Sequence, residues 1–379
     1  MKKICFVTTV PVTLQSFVLP TVKQMHESGE FDISFICTDD EKFSGELPEY
    51  IHYLPVRMKR GINLYGIKAT YEMYKIFKRE KFDLVQYSTP NASLYASLAS
   101  KFAKIPVRLY CQWGIVYVGF SGIKRKIFKT IEKTVCKLSS WVEPDSFGNL
   151  KFSRSEGLYD ENKSSVVWNG SASGVNTERF DISKKAAWCD QIKKEYDIPE
   201  NAFVFGFVGR VTRDKGVFEL FEAFEKISQT RENVYLLMIG RKETQDNSPL
   251  EAEKNPRIVF TGNVNDPERY YAAMNVFVLP SYREGFGSSV IEAEAMGLPV
   301  IVTDIPGPVD AMSNGNTGVT VKKADVDELM SAMLEMYDNA ELREKFASSS
   351  REFVMKKFEQ KQLVSHIIED RKRLMGISK

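Results

Sequence analysis

One stretch in the second half of the chain reads as a buried strand, a short loop and a helix in succession. The strand is Asn275–Leu279, an apolar run of the kind that parallel sheets bury on both faces. Pro280 ends this strand, and Ser288 or Ser289 is expected to cap the helix that follows. Gly297 is expected to stop that helix before the next strand. Units of this order build a parallel α/β sheet.

The loop of this unit has the composition of a phosphate-binding turn. Gly285 and Gly287 flank Phe286, so backbone N–H groups can approach a ligand without an intervening Cβ. The unpaired N–H groups and the dipole of a helix N-terminus then favour an anion. The glycine pattern is weak by itself, because the dinucleotide fingerprint has a third glycine, and an ordinary turn is the alternative. Glu284 and Glu292 flank the loop, and Glu292 is predicted to lie in the first helical turn.

A second strand-to-helix loop strengthens the prediction of an anion site. Phe203–Gly209 is another buried strand, and Val217–Ile227 is an amphipathic helix. Between them lie Arg210 and Lys215, at the edge of the same predicted sheet where open α/β folds bind ligands. Two cations beside a helix N-terminus suit a departing diphosphate.

The motifs of the second half, taken in order, resemble the retaining glycosyltransferases of family 4. They are FVGRVTRDKG at Phe207–Gly216, the two glutamates Glu284 and Glu292 with seven residues between them, and GLPVIVTDIPG followed by NGNTG. The resemblance implies an α/β protein of the GT-B fold, with two doubly wound Rossmann-like domains facing across a cleft. A C-terminal helix would cross back to the first domain. The resemblance is to capsular and cell-surface polysaccharide enzymes, and it implies a hexosyl- or N-acetylhexosaminyltransferase.

The resemblance also implies roles for individual residues. Arg210 and Lys215 would contact the donor diphosphate, Glu284 would contact the donor sugar, and these three are the expected catalytic residues. Glu292 would hold the ribose hydroxyls. The other expected donor-binding positions are Gly209, Gly285, Phe286, Gly287, Ser288 and Ser289.

With 379 residues, 43% of them apolar, the chain is too long for one core. We expect an N-terminal acceptor-binding domain of residues 1–180 plus 359–379, and a C-terminal nucleotide-sugar-binding domain of residues 181–358. The Gly- and Ser-rich run Trp168–Phe180 resembles the interdomain linker of the family. No apolar window of 18 residues and no cleavage-type site is present, so a cytoplasmic location is expected. The five cysteines have no paired spacing and are expected to be reduced thiols.

Residues 4–110 alternate strand and helix, which predicts a first parallel sheet. The predicted helices run from about Ser16 to Ser28, Leu64 to Arg79 and Leu94 to Lys104. Many relatives carry a histidine near Trp113, so an acid-base role at this position is lost or moved. Trp113 could stack on a sugar ring or pack two loops together. Candidate acceptor-binding residues follow the predicted strand ends: Thr13, Gln15, Ser88, Asn91, Gln112 and Trp113.

Positive charge is concentrated in the first half of the chain. Residues 1–180 carry 25 Lys and Arg against 18 Asp and Glu, although the whole chain has a net charge of only +2. Residues 121–138 form a predicted basic amphipathic helix, which could lie on an anionic membrane surface or could be a core helix with a solvated basic face. We expect peripheral contact with the inner-membrane surface, because the resemblance implies a polyprenyl-diphosphate-linked acceptor. No nucleic-acid recognition motif accompanies the charge, so nucleic acid is not an expected partner.

No metal or other cofactor is expected. Asp325 and Asp327 form an Asp-x-Asp triplet, but they open a predicted helix, where acids cap the end and complement the dipole. Arg210, Lys215 and the helix N-terminus at Ser289 would instead balance the charge of the leaving diphosphate. The expected reaction is front-face transfer from a nucleotide-sugar with retention, as is proposed for the family. A UDP-sugar is the expected donor, because UDP is among the family's commonest donor nucleotides; the sequence does not fix the nucleotide base, the sugar, the acceptor or the linkage.

Two other functions share these features. A sugar-nucleotide epimerase of the same fold would act on the donor alone, and turnover without an acceptor would identify it. A non-catalytic sugar-nucleotide-binding subunit of a polysaccharide assembly would keep the donor site without turnover. The presence of Glu284, Arg210 and Lys215 together favours an active transferase.

Overall fold

The computed structural model describes residues 1–59, 61, 65–243 and 252–377. These residues form two compact units, one of residues 1–173 with 361–379 and one of residues 174–360. Each unit has one six-stranded sheet, and every strand pair is parallel. Each sheet is thus of the doubly wound α/β type.

The first unit alternates strands and helices along most of its length. Its elements are β1 (Lys2–Val7), α1 (Pro11–Phe17), α2 (Leu19–Glu27), β2 (Phe31–Ile36), α3 (Glu41–Glu46), β3 (Ile51–Tyr53), α4 (Tyr65–Glu80), β4 (Leu84–Tyr87), α5 (Pro90–Ala103), β5 (Val107–Gln112), α6 (Gly122–Leu138), β6 (Trp141–Pro144) and α7 (Phe147–Ser155). The strand order is β3-β2-β1-β4-β5-β6.

The second unit repeats this arrangement. Its elements are α8 (Lys185–Glu195), β7 (Phe203–Val208), α9 (Val217–Thr230), β8 (Val234–Ile239), β9 (Ile258–Gly262), α10 (Pro267–Tyr271), β10 (Val276–Leu279), α11 (Ser288–Ala295), β11 (Val300–Thr303), β12 (Gly318–Val321), α12 (Val326–Asp338) and α13 (Ala340–Lys357). The strand order is β12-β11-β10-β7-β8-β9, the same topology as in the first unit. In both units the direction of chain progression reverses between the first and fourth strands, which is where such sheets bind ligands.

The sheet of the first unit is buried on both faces, as its period-two pattern requires. Cys5 and Val7 of β1 pack in one apolar cluster, and Ile4 and Phe6 pack in a second one on the other face. The last helix, α14 (Gln360–Leu374), contributes to this second cluster, so it completes the core of the first unit. The C-terminal helix therefore crosses back as predicted.

The prediction of one helix from Ser16 to Ser28 is wrong. A helix already begins at Pro11, whose fixed φ suits a first helical position, and it ends at Phe17. A second helix starts at Leu19 because Pro20, which cannot donate an intrahelical hydrogen bond, is accommodated in its first turn. The predicted start of another helix at Leu64 lies outside the described residues, and α4 is described from Tyr65.

The structure also bears on the start of α12 and on the state of the cysteines. Asp325 is the N-cap of α12, and its carboxylate accepts a hydrogen bond from the Glu328 backbone N–H at 2.9 Å, so the capping interpretation is confirmed. All five cysteines are free thiols, and four of them are buried.

Candidate active site

Two loops meet at the reversal point of the second sheet, where β7 and β10 are neighbours. The β7 loop is residues 209–216, and the β10 loop is residues 280–287. The backbone N–H of Tyr282 donates to the Asp214 carbonyl at 2.8 Å and ties the loops together. Gly216 has a φ of +69°, and a Cβ there would collide with the Pro280 carbonyl oxygen. Only glycine lets the two loops approach this closely.

An ion pair joins the two loops. Lys215 Nζ lies 2.6 Å from Glu284 Oε1, and the Ser281 hydroxyl donates to the same oxygen at 2.7 Å. The two charged side chains are largely withdrawn from solvent, at 17% and 11% exposed. Because water screens this pair little, its geometry is better fixed than that of a surface ion pair.

Asp214 contacts two further cations of the loops, Arg210 and Arg283. Its carboxylate accepts hydrogen bonds from Thr212 Oγ1 at 2.5 Å and from an Arg283 nitrogen at 2.8 Å, and Arg210 lies at 3.6 Å. Burial raises the pKa of Asp214, but Thr212 and the neighbouring cations together hold it below its ordinary value. A stable carboxylate therefore anchors Arg210 and Arg283 at the site. Arg210 also donates to Glu243 at 3.0 Å, and its side chain is half exposed.

The N-cap of the helix that follows the β10 loop lies one residue before the predicted caps. Gly287, with a φ of +92°, is the N-cap of α11, while Ser288 and Ser289 are its first two residues. The prediction of a serine cap is therefore wrong, because the left-handed conformation of the N-cap suits glycine. The Val290 N–H donates to the Gly287 carbonyl at 2.8 Å, and the N–H groups of Ser288 and Ser289 lie at the helix end, where an α-helix supplies no acceptor for them.

Two donor-binding candidates take part in the framework of the site. The Phe286 ring is buried and packs edge-on against Phe358, with ring centroids 5.1 Å apart, so only its backbone remains for a ligand. The Gly209 backbone N–H donates to the Ile239 carbonyl at 2.9 Å, which extends the β7–β8 pairing into the loop. Beside Gly285, a Cβ on Gly307 would lie 2.5 Å from the Gly285 carbonyl oxygen, so this approach also requires glycine.

Glu292 lies in the second turn of α11, as its fifth residue, so its predicted position in the first turn is wrong. Tyr271 Oη lies 2.8 Å from Glu292 Oε2 and 3.2 Å from the Ser289 carbonyl oxygen. Burial raises the pKa of Glu292 to about 7, although Tyr271 and the positive charge of Arg179 act in the opposite direction. The carboxyl group therefore changes its charge near neutral pH.

Two candidates in the first unit are buried. The Gln112 side chain has no exposed surface; it donates to Glu132 at 2.5 Å and accepts from the hydroxyls of Ser153 and Tyr159 at 3.0 and 2.8 Å. These contacts use its amide within the core. Ser88 is 2% exposed, and its backbone N–H donates to the Val7 carbonyl at 3.2 Å.

The other four candidates lie nearer to the surface. Thr13 is partly exposed and Gln15 is exposed, both on α1. The partly exposed Trp113 ring packs against Phe17 at the end of the same helix, with centroids 5.4 Å apart. The Asn91 side-chain amide, at the start of α5, donates to the Lys59 carbonyl at 2.5 Å and to the Gly61 carbonyl at 3.1 Å.

Several residues of the site were missed by sequence reasoning. Asp214 directly precedes Lys215, and Arg283 directly precedes Glu284. Their positions in the two loops could therefore have identified them as site residues. Ser281 and Tyr271 carried no such signal, because their contacts depend on how the strands pair. In the part of the chain that the structure describes, no group of three or more His, Cys, Asp or Glu could hold a metal ion.

Family models match both halves of the chain. Residues 190–353 match the model of glycosyl transferases group 1, and residues 3–143 match the glycosyl transferase 4-like model. Among curated proteins, the capsular polysaccharide biosynthesis glycosyltransferase CapM of Staphylococcus aureus is 32% identical over 86% of both chains. The UDP-Gal:alpha-D-GlcNAc-diphosphoundecaprenol alpha-1,3-galactosyltransferase of Escherichia coli is 26% identical over 86% of this chain and 84% of its own.

A solved structure shows the same fold at low sequence identity. Anabaena HepE in complex with UDP and glucose matches with a TM-score of 0.80 and 17% identity, over 98% of this chain and all of its own. This likeness establishes the GT-B fold. From the family matches and the extended similarity to CapM, this chain belongs to the group 1, family 4-type glycosyltransferases and is a glycosyltransferase.

Proposed function

We propose that this chain is a retaining transferase that moves a sugar from a UDP-sugar to a hydroxyl of a growing, polyprenyl-diphosphate-linked glycan in bacterial capsule or surface polysaccharide synthesis. The observation that carries the donor assignment is the Lys215–Glu284 pair between the β7 and β10 loops. It places a cation and a carboxylate together at the reversal point of a parallel sheet, beside a helix N-terminus.

The charges of the two loops suit a nucleotide diphosphate. Lys215 and Arg210 would contact the diphosphate, and the N–H groups of Ser288 and Ser289 would donate hydrogen bonds to its oxygens. Cations held in place before the reaction stabilise the charge that develops on the leaving group without reorganisation. Glu292 would accept hydrogen bonds from the ribose hydroxyls, a role that its position on α11 and its contact with Tyr271 support.

Glu284 is assigned to the donor sugar and not to a covalent intermediate. Its Oε1 already contacts Lys215 and Ser281, which favours binding of sugar hydroxyls over nucleophilic attack. We therefore favour front-face attack: the acceptor oxygen bonds to the anomeric carbon as the bond to the diphosphate breaks, and the β-phosphate takes the acceptor proton. Attack on the same face keeps the anomeric configuration.

The acceptor would bind through the first unit. Four of the six candidate side chains could reach it, namely those of Thr13, Gln15, Asn91 and Trp113. The other two candidates, Gln112 and Ser88, are buried. The names of two relatives support a diphosphate-linked lipid, because the Escherichia coli enzyme acts on a diphosphoundecaprenol and CapM is a capsule enzyme. The excess positive charge of residues 1–180 suits such an anion.

The test is nucleotide release from UDP-, GDP- and dTDP-sugars, with and without polyprenyl-diphosphate-linked oligosaccharide, in EDTA and in Mg²⁺. We expect acceptor-dependent release of UDP that persists in EDTA, and a product of unchanged anomeric configuration by NMR. Release without an acceptor, together with an altered donor sugar, would identify an epimerase. Tight nucleotide binding with no release from any pair would identify a binding subunit.

We also propose that α6 brings the first unit to an anionic membrane surface. The helix buries its second half through Val135 and Cys136, but Ile123 and Ile127 in its first half are 75% and 48% exposed. The lysines at its exposed positions are Lys124, Lys126, Lys133 and Lys137. Exposed isoleucines among lysines fit the boundary between lipid headgroups and acyl chains. Within the ranges that the structure describes, none of the helices has the length and apolarity to cross a bilayer.

Co-sedimentation with vesicles tests this contact. Binding to vesicles with anionic lipid is expected to fall in an Ile123→Ser, Ile127→Ser variant and to weaken with salt. Ile67→Ser on α4, which is 71% exposed, is the matched control. Equal loss in the control, or binding that ignores lipid charge, would remove α6 from the proposal.

A further inference from the structure

Tyr282 joins the β10 loop to α9 through its side chain as well as to the β7 loop through its backbone. Its phenolic hydroxyl donates a hydrogen bond to Glu219 Oε1, in the first turn of α9. Its backbone N–H donates to the Asp214 carbonyl at 2.8 Å. Because α9 carries none of the expected donor-binding residues, the hydroxyl contact can influence the site only through the loop that it holds.

The chemistry of this contact favours a well-fixed hydrogen bond. The second carboxyl oxygen of Glu219, Oε2, is buried and has no hydrogen-bond partner among the residues that the structure describes. The carboxyl group therefore depends on the bond to its other oxygen, since burying a polar group without a partner is costly. Burial and the neighbouring Glu219 raise the pKa of Tyr282 to about 12, so its hydroxyl keeps the proton that it donates.

A second side-chain contact between the same two segments lies two residues further along the β10 loop. Glu284 pairs with Lys215 at 2.6 Å, and Lys215 lies four residues before Glu219 in the chain. Between these contacts, Arg283 donates to the Asp214 carboxylate at 2.8 Å. A contact at one point fixes how far apart two segments lie. Contacts at both ends of a stretch also fix the direction in which the loop runs, and with it the orientation of Glu284.

We propose that Tyr282 is a positioning residue for the transfer reaction, which orients Glu284 through the hydrogen bond between its own hydroxyl and Glu219. This inference rests on the proposed role of Glu284 at the donor sugar. Without the hydroxyl, the loop keeps its contact with Lys215 but can turn about it, so Glu284 is no longer held in one orientation. A misplacement of about 1 Å can lower the rate of a reaction by about 10². The cations that would bind the diphosphate stay in place, so donor binding should change little.

The test begins with Tyr282→Phe, which keeps the ring and removes only the hydroxyl. Nucleotide release is measured in the presence of the acceptor, with the nucleotide-sugar that the wild type turns over fastest. We expect kcat to fall about tenfold, and KM for the donor to change by less than about twofold. Tyr196→Phe, which removes a hydroxyl that contacts Tyr270 Oη at 3.4 Å elsewhere in the second unit, is the matched control and should keep the full kcat. A wild-type kcat in Tyr282→Phe overturns the proposal.

Two variants of Glu219 separate the hydrogen bond from the charge of its acceptor. Glu219→Gln keeps a carbonyl oxygen that can accept from the hydroxyl, so its kcat should stay near that of the wild type. Glu219→Ala should be as slow as Tyr282→Phe. A kcat in Glu219→Gln as low as in Glu219→Ala would overturn the proposal, and this comparison decides alone if a thermal melt shows that Tyr282→Phe is unfolded.

A double variant shows whether the two side chains act through one contact. Tyr282→Phe combined with Glu219→Ala should be no slower than either single variant, because each change already removes the same hydrogen bond. Losses that add would overturn the proposal.

Failure of this inference differs from failure of the proposed function. A wild-type protein that releases no nucleotide with any donor and acceptor contradicts both. A wild type that turns over a donor, beside a Tyr282→Phe variant of equal kcat, leaves the transferase in place and overturns only the role of Tyr282.

Discussion

The guanidinium of Arg371, on the last helix, donates to both carboxylate oxygens of Glu143 at the end of β6. Its Nε donates to the Gln86 side chain on β4 at 3.0 Å. Arg371 is 1% exposed, so this pair lies inside the first unit and not on its surface. The last helix is thus fixed to the sheet by oriented hydrogen bonds as well as by apolar packing.

Replacing Arg371 with alanine should lower the free energy of unfolding by about 3–5 kcal/mol, because the change leaves Glu143 as a buried charge without its partner. Arg79→Ala, which removes the exposed pair with Glu80, is the control and should cost less than about 1 kcal/mol. Urea denaturation of both variants measures the difference. Replacing Arg371 and Glu143 together by Met and Leu should recover most of the loss; no recovery would show that the buried charge is not the cause.

Lys215→Ala should reduce the rate of nucleotide release at saturating donor by about 10²–10³, the usual cost of one oriented charge in a transition state. Lys226→Ala at the other end of the same loop–helix segment is the matched control, since its exposed ammonium pairs with Glu222 at 3.1 Å. The control should keep full activity. A thermal melt of each variant must show a folded protein, and a rate equal to wild type in folded Lys215→Ala would contradict the role of this cation.

Glu292 gives the stability of the protein a specific pH dependence. Its pKa rises from an ordinary value of 4.5 to about 7 on folding, so the folded state binds the proton more tightly than the unfolded state. The free energy of unfolding should therefore fall as the pH rises from about 4.5 to 7. At ~1.4 kcal/mol per pKa unit, this fall amounts to up to about 3 kcal/mol in the wild type. In Glu292→Gln this contribution to the pH dependence should be absent.

Urea denaturation at pH 5 and pH 8 measures this effect. Glu222→Gln, at an exposed acid, is the control and should leave the difference between the two pH values unchanged. A wild-type slope that persists in Glu292→Gln would mean that another group is responsible.

The close approach of the β7 and β10 loops can be tested at Gly216. Gly216 and Gly29 have almost the same backbone angle, with φ of +69° and +70°, but only at Gly216 would a Cβ meet other atoms. Gly29→Ala should cost about 1 kcal/mol of stability, the cost of the left-handed conformation. Gly216→Ala should cost more and should also abolish nucleotide release, because the Pro280 carbonyl must move. Equal effects of the two substitutions on stability and activity would argue against the contact.

The strand–loop–helix units were predictable because their signals are local. Apolar runs bounded by glycine or proline located β7 and β10 to within one residue at each end. The short elements α3 and β3 escaped prediction, since three to six residues carry too little periodicity.

The contacts of the site were less accessible to sequence reasoning. The sequence placed Lys215 and Glu284 on two loops at one sheet edge, but it did not show that the two side chains pair, because they are far apart in the chain. Gln112 illustrates the opposite case. Its position at the end of β5 favoured a binding role. The hydroxyls of Ser153 and Tyr159, which follow later in the chain, instead donate hydrogen bonds to its side-chain oxygen.

The placement of α14 in the first unit sets an order for folding during synthesis. The second unit is one continuous segment, residues 174–360, so all of it leaves the ribosome before the last helix does. Gln86 and Glu143 precede this segment in the chain, but they have no Arg371 to bind until the residues after the second unit have been made. The first unit therefore reaches its final structure only after the whole of the second unit has been made.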